Sequence, residues 1–414
     1  MTHPRVRTAV SPLRRHFATT PHVALPTVDQ LVTTQRPEEP MHCLRPAAIT
    51  ATARDFVAAF PGAVMYAVKC NPEPAVLRAL HAGGVADFDC ASISEVTLVR
   101  QMFPDAAIHF MHPVKPRGAI REAWARHGVR DFVLDSAAEL AKILQETAAT
   151  GVAGALTLIV RLALPKGGAR LDLSGKFGAT TDAAAALLRA ARGHATRLGV
   201  SFHVGSQCLD PLAWRKALAA TGELIRAAGV AVDIIDVGGG FPAAYPDVEP
   251  PELGAFLAEI EAGFEALSLP DAELWAEPGR ALVAGGASVV VQVQQRRGDA
   301  LYINDGVFGS LADAGPLGFR YPVRLIRPGG ARFVTELIDC RFFGPTCDSA
   351  DVMNGPFSLP ADVAEGDWIE IGMLGAYGGC FRTAFNGFDR ARMVEVRDAP
   401  LVQAAVPEAV RLAA

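Results

Sequence analysis

The chain has no CxxC pair, no excess of positive charge and no acidic residue before Asp29. It also has no apolar run of about 18 residues or more. Each absence removes a class of protein. The 7 cysteines, Cys43, Cys70, Cys90, Cys208, Cys340, Cys347 and Cys380, are odd in number and show no paired spacing. A zinc site or a disulfide framework is therefore not expected, and a reducing compartment fits. Without a long apolar run, no transmembrane helix and no membrane partner are expected. A net charge of −5 leaves no basic footprint for nucleic acid. Residues 1–20 carry Arg5, Arg7, Arg14 and Arg15 without an acid, as a transit peptide does. They lack amphipathic periodicity and are read as a disordered basic extension.

What is present points to two domains. Half of the 414 residues are hydrophobic, enough for a large core. Short apolar, strand-like runs occur at 63–70, 86–91, 107–112, 131–135, 155–162, 199–206, 232–240 and 273–280. Segments with helical spacing lie between most of them: 74–82, 117–127, 137–148, 182–197, 211–228 and 251–266. Buried strands alternating with helices imply parallel β/α architecture. A doubly wound open sheet would share that alternation. Eight units over roughly 240 residues favour a (β/α)8 TIM-type barrel, assigned to 46–280. After Arg280 helical periodicity fades, and runs at 285–295, 300–304, 332–338 and 366–372 read as strands between Gly- and Pro-bearing turns. The fold class is thus α/β plus β, with 281–414 as a mostly β C-terminal domain. Residues 21–45 have strand character and are expected to join that sheet.

In such barrels chemistry sits at the C-terminal strand ends. Here those ends offer Lys69, Asp89, His112, Asp135, Arg161, His203 with Ser206, Gly238 to Gly240, and Glu277 with Arg280. Polar groups beside a core must be satisfied or functional, so their convergence on one face needs a reason. Desolvation at a strand end would lower the pKa of Lys69 and favour the amine that forms a Schiff base. Gly238, Gly239 and Gly240 let backbone N–H groups approach an anion, although their spacing fits neither a dinucleotide fingerprint nor a P-loop. Arg280 is suited to clamp a phosphate and Glu277 to hold a pyridine nitrogen protonated. His203 offers a flat ring and Ser206 a hydroxyl. Singly, each has a bland reading: a snorkelling lysine, a tight turn, a local ion pair, a core histidine. Together they are the parts of a pyridoxal 5'-phosphate site. No metal site is expected.

The motifs then resemble a known family. They are YAVKCN at Tyr66–Asn71, FDCAS at Phe88–Ser92, KFGA at Lys176–Ala179, SFHVGS at Ser201–Ser206, DVGGGFP at Asp236–Pro242 and EPGR at Glu277–Arg280. They continue with NDGVFGS at Asn304–Ser310, GPTCD at Gly344–Asp348, GAY at Gly375–Tyr377 and FNGF at Phe385–Phe388. In this order they resemble the fold-type III pyridoxal-phosphate decarboxylases, the ornithine/diaminopimelate/arginine decarboxylase group, with most likeness to ornithine decarboxylase. The resemblance implies a barrel with a C-terminal β domain, a homodimer with shared active sites, and a cytoplasmic enzyme of polyamine biosynthesis. It implies that Lys69 carries the cofactor, His203 stacks on its ring and Glu277 pairs with the ring nitrogen. Ser206, Gly238 to Gly240, Arg280 and Tyr377 would hold the phosphate, with Asp89, Glu95 and Arg161 as orienting groups. Cys347 would return a proton to the α-carbon. Asp348 would bind the substrate's distal ammonium, with Tyr377 also at the substrate. Both Cys347 and Asp348 would reach into the second subunit's site, and Lys176 would pair with Asp351 across the interface.

The implied reaction is decarboxylation of a basic L-amino acid, ornithine or lysine, to a diamine. The stretch after Ser310 departs from the ornithine decarboxylase pattern: no aspartate stands at the usual place, Asp313 comes earlier, and Arg320 adds positive charge. Diaminopimelate or a carboxy-polyamine therefore stays open as substrate, as does a non-catalytic, antizyme-inhibitor-like role. An acidic substrate tail follows only if Arg320 faces the site.

Overall fold

The computed structural model describes residues 24–328 and 332–403. The basic extension assigned to 1–20 lies outside the described residues. The chain enters through helix α1 (Val28–Gln35), whose start is fixed by a capping box between Thr27 and Gln30. The strand expected over 21–45 is therefore confined to β1 (Met41–Leu44). The cap and the apolar spacing of Val28, Leu31 and Val32 override the β-branched composition that suggested extended chain. Helix α2 (Pro46–Ala59) follows, opened by a proline at its first turn.

Eight parallel strands then close a barrel: β2 (Ala63–Ala67), β3 (Asp87–Cys90), β4 (Ala107–Phe110), β5 (Asp131–Leu134), β6 (Thr157–Arg161), β7 (Arg197–Ser201), β8 (Ile234–Asp236) and β9 (Glu273–Ala276). Helices α3 (Pro74–Ala82), α4 (Ile93–Met102), α5 (Arg117–Arg126), α6 (Ala137–Ala148), α7 (Thr181–Arg192), α8 (Leu212–Ala228) and α9 (Leu253–Ala266) connect them. Ser92, Ser136 and Thr180 each accept the backbone N–H of the third residue of the next helix, and these caps fix where β-to-α loops end. Strand residues alternate. Met65, Val133, Ile159, Ile234 and Trp275 fill the barrel with Met111, while neighbours such as Tyr66, Phe132, Leu158 and Ile235 pack outward on the helices.

The floor of the barrel is polar but paired. His109 is buried with Asp87 3.1 Å from Nε2 and Asp131 2.9 Å from Nδ1. Its ring meets Trp275 edge-on at 4.8 Å. Arg197 pairs with Glu273, and Arg192 with Asp233, on the same end.

Beyond the barrel lie β10 (Ala287–Arg297), β11 (Ala300–Ile303), β12 (Val323–Ile326), β13 (Leu337–Phe343), β14 (Val352–Pro360), β15 (Trp368–Ile371) and β16 (Arg392–Glu395). They form a mixed sheet in the order β12-β15-β10-β11-β13-β14, and β1 joins it between β10 and β16. The strand expected at 332–338 begins only at Leu337, where pairing with Pro360 starts. A buried network ties the entry helix to this sheet: Glu370 accepts from Arg45 and Arg324 at 2.6 Å each, and Arg324 reaches Asp29 at 2.7 Å. Among the described residues no helix is long and apolar enough to cross a membrane.

Candidate active site

The site begins where β2 stops. The chain leaves Ala67 through a single 3-10 turn, Val68–Cys70, rather than running on as strand to Cys70. Asn71 fastens this turn to the β domain through Nδ2, which donates to the Gly375 carbonyl at 2.8 Å. The Tyr377 amide donates to the Cys70 carbonyl at 3.0 Å. Tyr377 sits at a φ of 55°, a left-handed conformation uncommon for a bulky residue. These two bonds place Lys69 and Tyr377, from different domains, on one wall. The wall belongs to a cavity of about 400 Å³, also lined by His112, Arg161, His203, Ser206, Gly240, Glu277 and Arg280. That volume suits a small molecule bearing a phosphate.

Lys69 corrects one expectation. Burial does pull its ammonium down, but Asp89 and then Glu277 outweigh that, and the net direction is upward. Asp89 Oδ2 lies 2.5 Å from Nζ and is sealed, whereas the lysine side chain is 45% exposed to the cavity. The resting group is therefore an ammonium held by a carboxylate, not a desolvated free amine. The second oxygen, Asp89 Oδ1, has no partner. Glu95 accepts from the Ala91 amide at 2.6 Å and so shapes the loop after β3 rather than touching the cavity.

His203 is pushed down to about 3 by burial and by Arg161 and Lys69. Its Nδ1 accepts from the Gly205 amide at 3.0 Å, which leaves the proton of the neutral ring on Nε2. Behind it runs the glycine turn. A Cβ on Gly239 would come 2.5 Å from the Glu277 carbonyl, and one on Gly240 2.4 Å from the Gly205 carbonyl. Only glycine allows this stacking of backbones. Of the three glycines Gly240 alone borders the cavity; the Gly238 amide is spent on Asp236 Oδ1 at 2.9 Å. The cradle is thus narrower than expected from the sequence.

Glu277 opens to the cavity with Asp236 behind it. Burial, then Asp236 and Asp89, hold the Glu277 carboxyl well above the usual carboxylate range, and burial pushes Asp236 up to about 7. Arg280 lines the same cavity, its guanidinium 4.9 Å over the Tyr377 ring, but its fork is engaged. It donates to the Tyr245 hydroxyl at 2.9 Å and to Asp313 at 3.0 Å, and only Nε is without a partner. The expectation of a free phosphate clamp at Arg280 did not foresee these two residues. Asp313 was visible only as an aspartate out of place, and nothing in the spacing linked Tyr245 to it. The Arg161 side chain has no hydrogen-bond partner among the described residues and is the unengaged guanidinium of the cavity.

A loop that sequence reasoning passed over supplies Asp172, Leu173 and Ser174 to the same cavity. Its signal was its Gly-rich length between Arg161 and the cap Thr180. Lys176 also lines the cavity. Its expected counterpart Asp351 is buried and accepts from Val307, the Thr346 amide and the Thr346 hydroxyl, so that carboxylate is not presented for pairing. Cys347 and Asp348 are exposed and do not line the cavity of their own chain. Cys347 donates its amide to Asn386 Oδ1 at 3.1 Å, within a segment that exposes Phe381, Phe385 and Phe388. Arg320 is exposed and absent from the cavity lining, which removes the reason to expect an acidic substrate tail.

A lysine nitrogen, a flat neutral imidazole, an acid at elevated pKa, two guanidinium groups and a glycine turn surround one space. With Asp89 Oδ1, Asp236 Oδ2 and Arg280 Nε all unpartnered around it, this set fits pyridoxal phosphate.

Comparison with known proteins agrees with the geometry. Residues 47–284 match the pyridoxal-binding domain of the pyridoxal-dependent decarboxylases, and 283–375 match their C-terminal sheet domain. Ornithine decarboxylase of Panagrellus redivivus is 34% identical over 361 residues, covering 79% of this chain and 78% of that protein. The lysine/ornithine decarboxylase of Selenomonas ruminantium is 32% identical over 356 residues, covering 83% and 86%. The crystal structure of lysine/ornithine decarboxylase from Vibrio vulnificus with putrescine superposes with a TM-score of 0.75 at 30% identity, covering 90% of this chain and 99% of that one. The barrel with its appended sheet, the lysine at its mouth and both domain matches lead to one assignment: this chain belongs to the pyridoxal-dependent decarboxylases.

Proposed function

We propose that the enzyme decarboxylates a basic L-amino acid, ornithine or lysine, to its diamine in the cytoplasm, with pyridoxal 5'-phosphate held on Lys69. The observation that carries this reading is the cavity itself, where Lys69, Arg161, His203, Glu277, Arg280 and Tyr377 meet. Bound there, the cofactor supplies an electron sink for the carbon that loses CO2. The chain's own groups do the rest. Lys69 is the nucleophile, oriented by Asp89. The neutral face of His203 would pack on the ring, since a charged imidazolium would oppose the ring nitrogen's positive charge. Glu277 would face that nitrogen. Ser206, Gly240, Tyr377 and Arg280 would hold the phosphate, with Gly238 and Gly239 supporting the turn from behind.

Substrate recognition needs a second copy. Cys347 and Asp348 stand outside their own cavity, beside three exposed phenylalanines, an arrangement suited to burial against another chain. In a homodimer Asp348 of the second copy takes the distal ammonium and Cys347 of the second copy returns the proton to the α-carbon. The diamine named with the Vibrio structure supports a cationic tail. Two measurements test the proposal. Borohydride reduction of the holoenzyme should label Lys69. CO2 release should be fastest with ornithine or lysine in a panel that includes arginine and diaminopimelate. An unlabelled Lys69, or preference for diaminopimelate, would overturn it.

A further inference from the structure

Asp236 does not line the cavity, yet it is among the most deeply buried acids of the described residues. It ends β8, is fully buried, and is bonded through Oδ1 to the Gly238 amide at 2.9 Å. Its other oxygen, Oδ2, finds no donor; the Glu277 amide donates to the Gly238 carbonyl at 2.8 Å, which brings the two acids side by side, and their side chains interact directly. Two carboxylates cannot meet at a buried contact unless a proton lies between them. The charges around the pair agree. Lys69 and Arg161 bring two positive charges to this end of the barrel, and Asp89, Asp236 and Glu277 bring three carboxyl groups. One shared proton makes that set neutral.

We infer that Asp236 and Glu277 hold one proton between them, and that Asp236 keeps it when a ring nitrogen faces Glu277. Asp236 Oδ2–H then donates to Glu277, whose carboxylate stays ionised and fixed in orientation toward the cavity. No further proton donor or acceptor is needed. Asp236 is a positioning residue in this arrangement: it acts through Glu277, and the glycine turn that begins two residues later holds it in place. The second half of this inference rests on the reading of Glu277 as the ring-nitrogen partner; the shared proton does not.

The test uses Asp236→Asn, which keeps the bond from Gly238 and gives Glu277 an amide donor, and Glu277→Gln. In the apo protein at neutral pH, the infrared carbonyl band of a protonated carboxyl should be present in the wild type and lost in both variants. A wild type without that band, or an Asp236→Asn protein that retains it, overturns the inference. In the holoenzyme, the nitrogen-15 resonance of labelled cofactor should remain that of a protonated ring in Asp236→Asn. It should shift toward the unprotonated ring in Asp236→Leu, which cannot donate. If Asp236→Leu folds and its resonance is unchanged, Asp236 does not position Glu277. If Glu277→Gln leaves the resonance unchanged while the infrared band behaves as expected, it is the ring-nitrogen reading of Glu277 that fails.

Discussion

Replacing His109 by glutamine removes the centre of the barrel floor. The imidazole is buried between two carboxylates: Nε2 bonds to Asp87 at 3.1 Å and Nδ1 lies 2.9 Å from Asp131, so a doubly protonated ring faces a negative charge on each side. Burial alone would push it down, but the Asp131 and Asp87 carboxylates, as acceptors and as negative charges, prevail and raise it to about 9 from an ordinary 6.5. Because the folded-state pKa exceeds the unfolded one, the extra stability is fully present below about pH 6.5 and is lost as pH climbs through about 9. The gap corresponds to on the order of 3 kcal/mol. His109→Gln, which carries no titrating charge, should therefore be less stable than wild type by about that amount at about pH 6, with the difference shrinking toward about pH 9.5. Urea unfolding of both proteins across this range, followed by circular dichroism, measures the difference directly. A difference that stays constant with pH would refute the charged triad and leave His109 as a packing residue.

Three further outcomes follow from the geometry. Gly239→Ala should fold but lose about 100-fold in activity, because its Cβ would press on the Glu277 carbonyl and on His203; steady-state rates with cofactor in excess would show it. Lys69→Ala and Cys347→Ala chains, each inactive alone, should regain activity when mixed and allowed to exchange subunits; no recovery would mean that Cys347 serves its own chain. Arg45→Met should lower stability by about 3 kcal/mol, since it leaves Glu370 buried with one partner fewer, and the loss should appear in thermal unfolding of the apo protein.

The barrel was readable because its signals are local. Short apolar runs, capping serines such as Ser92 and Ser136, and prolines at the first turns of α2 and α3 each report on a few residues. Lys69, His203 and Glu277 could be found for the same reason: each follows a strand directly. What stayed hidden depends on contacts between distant residues. The raised pKa of Lys69 comes from Asp89, 20 residues away on the next strand. The engagement of Arg280 comes from Tyr245 and Asp313, which approach it from separate loops at separations of 35 and 33 residues. Helix α1 was missed because Val, Leu and Thr suggest extended chain, and only the reciprocal bonds of Thr27 and Gln30 decide for helix.

The two ends of the barrel show which charges serve the fold and which await a ligand. At the floor, Asp87 and Asp131 flank His109, Arg197 meets Glu273 and Arg192 meets Asp233, so each charge faces an opposite one within the chain. At the mouth, Asp89 Oδ1 and Arg280 Nε are buried without partners, and the Arg161 side chain lines the cavity without a hydrogen bond. Leaving a buried polar atom unsatisfied costs about 1–3 kcal/mol, so a fold selected for stability alone would pair the mouth as it pairs the floor. The same strands carry both ends, and their backbone geometry treats the ends alike. The unpaired groups therefore mark the face where binding energy is to be gained, and they are the groups a phosphate, an aldehyde and a ring nitrogen would satisfy.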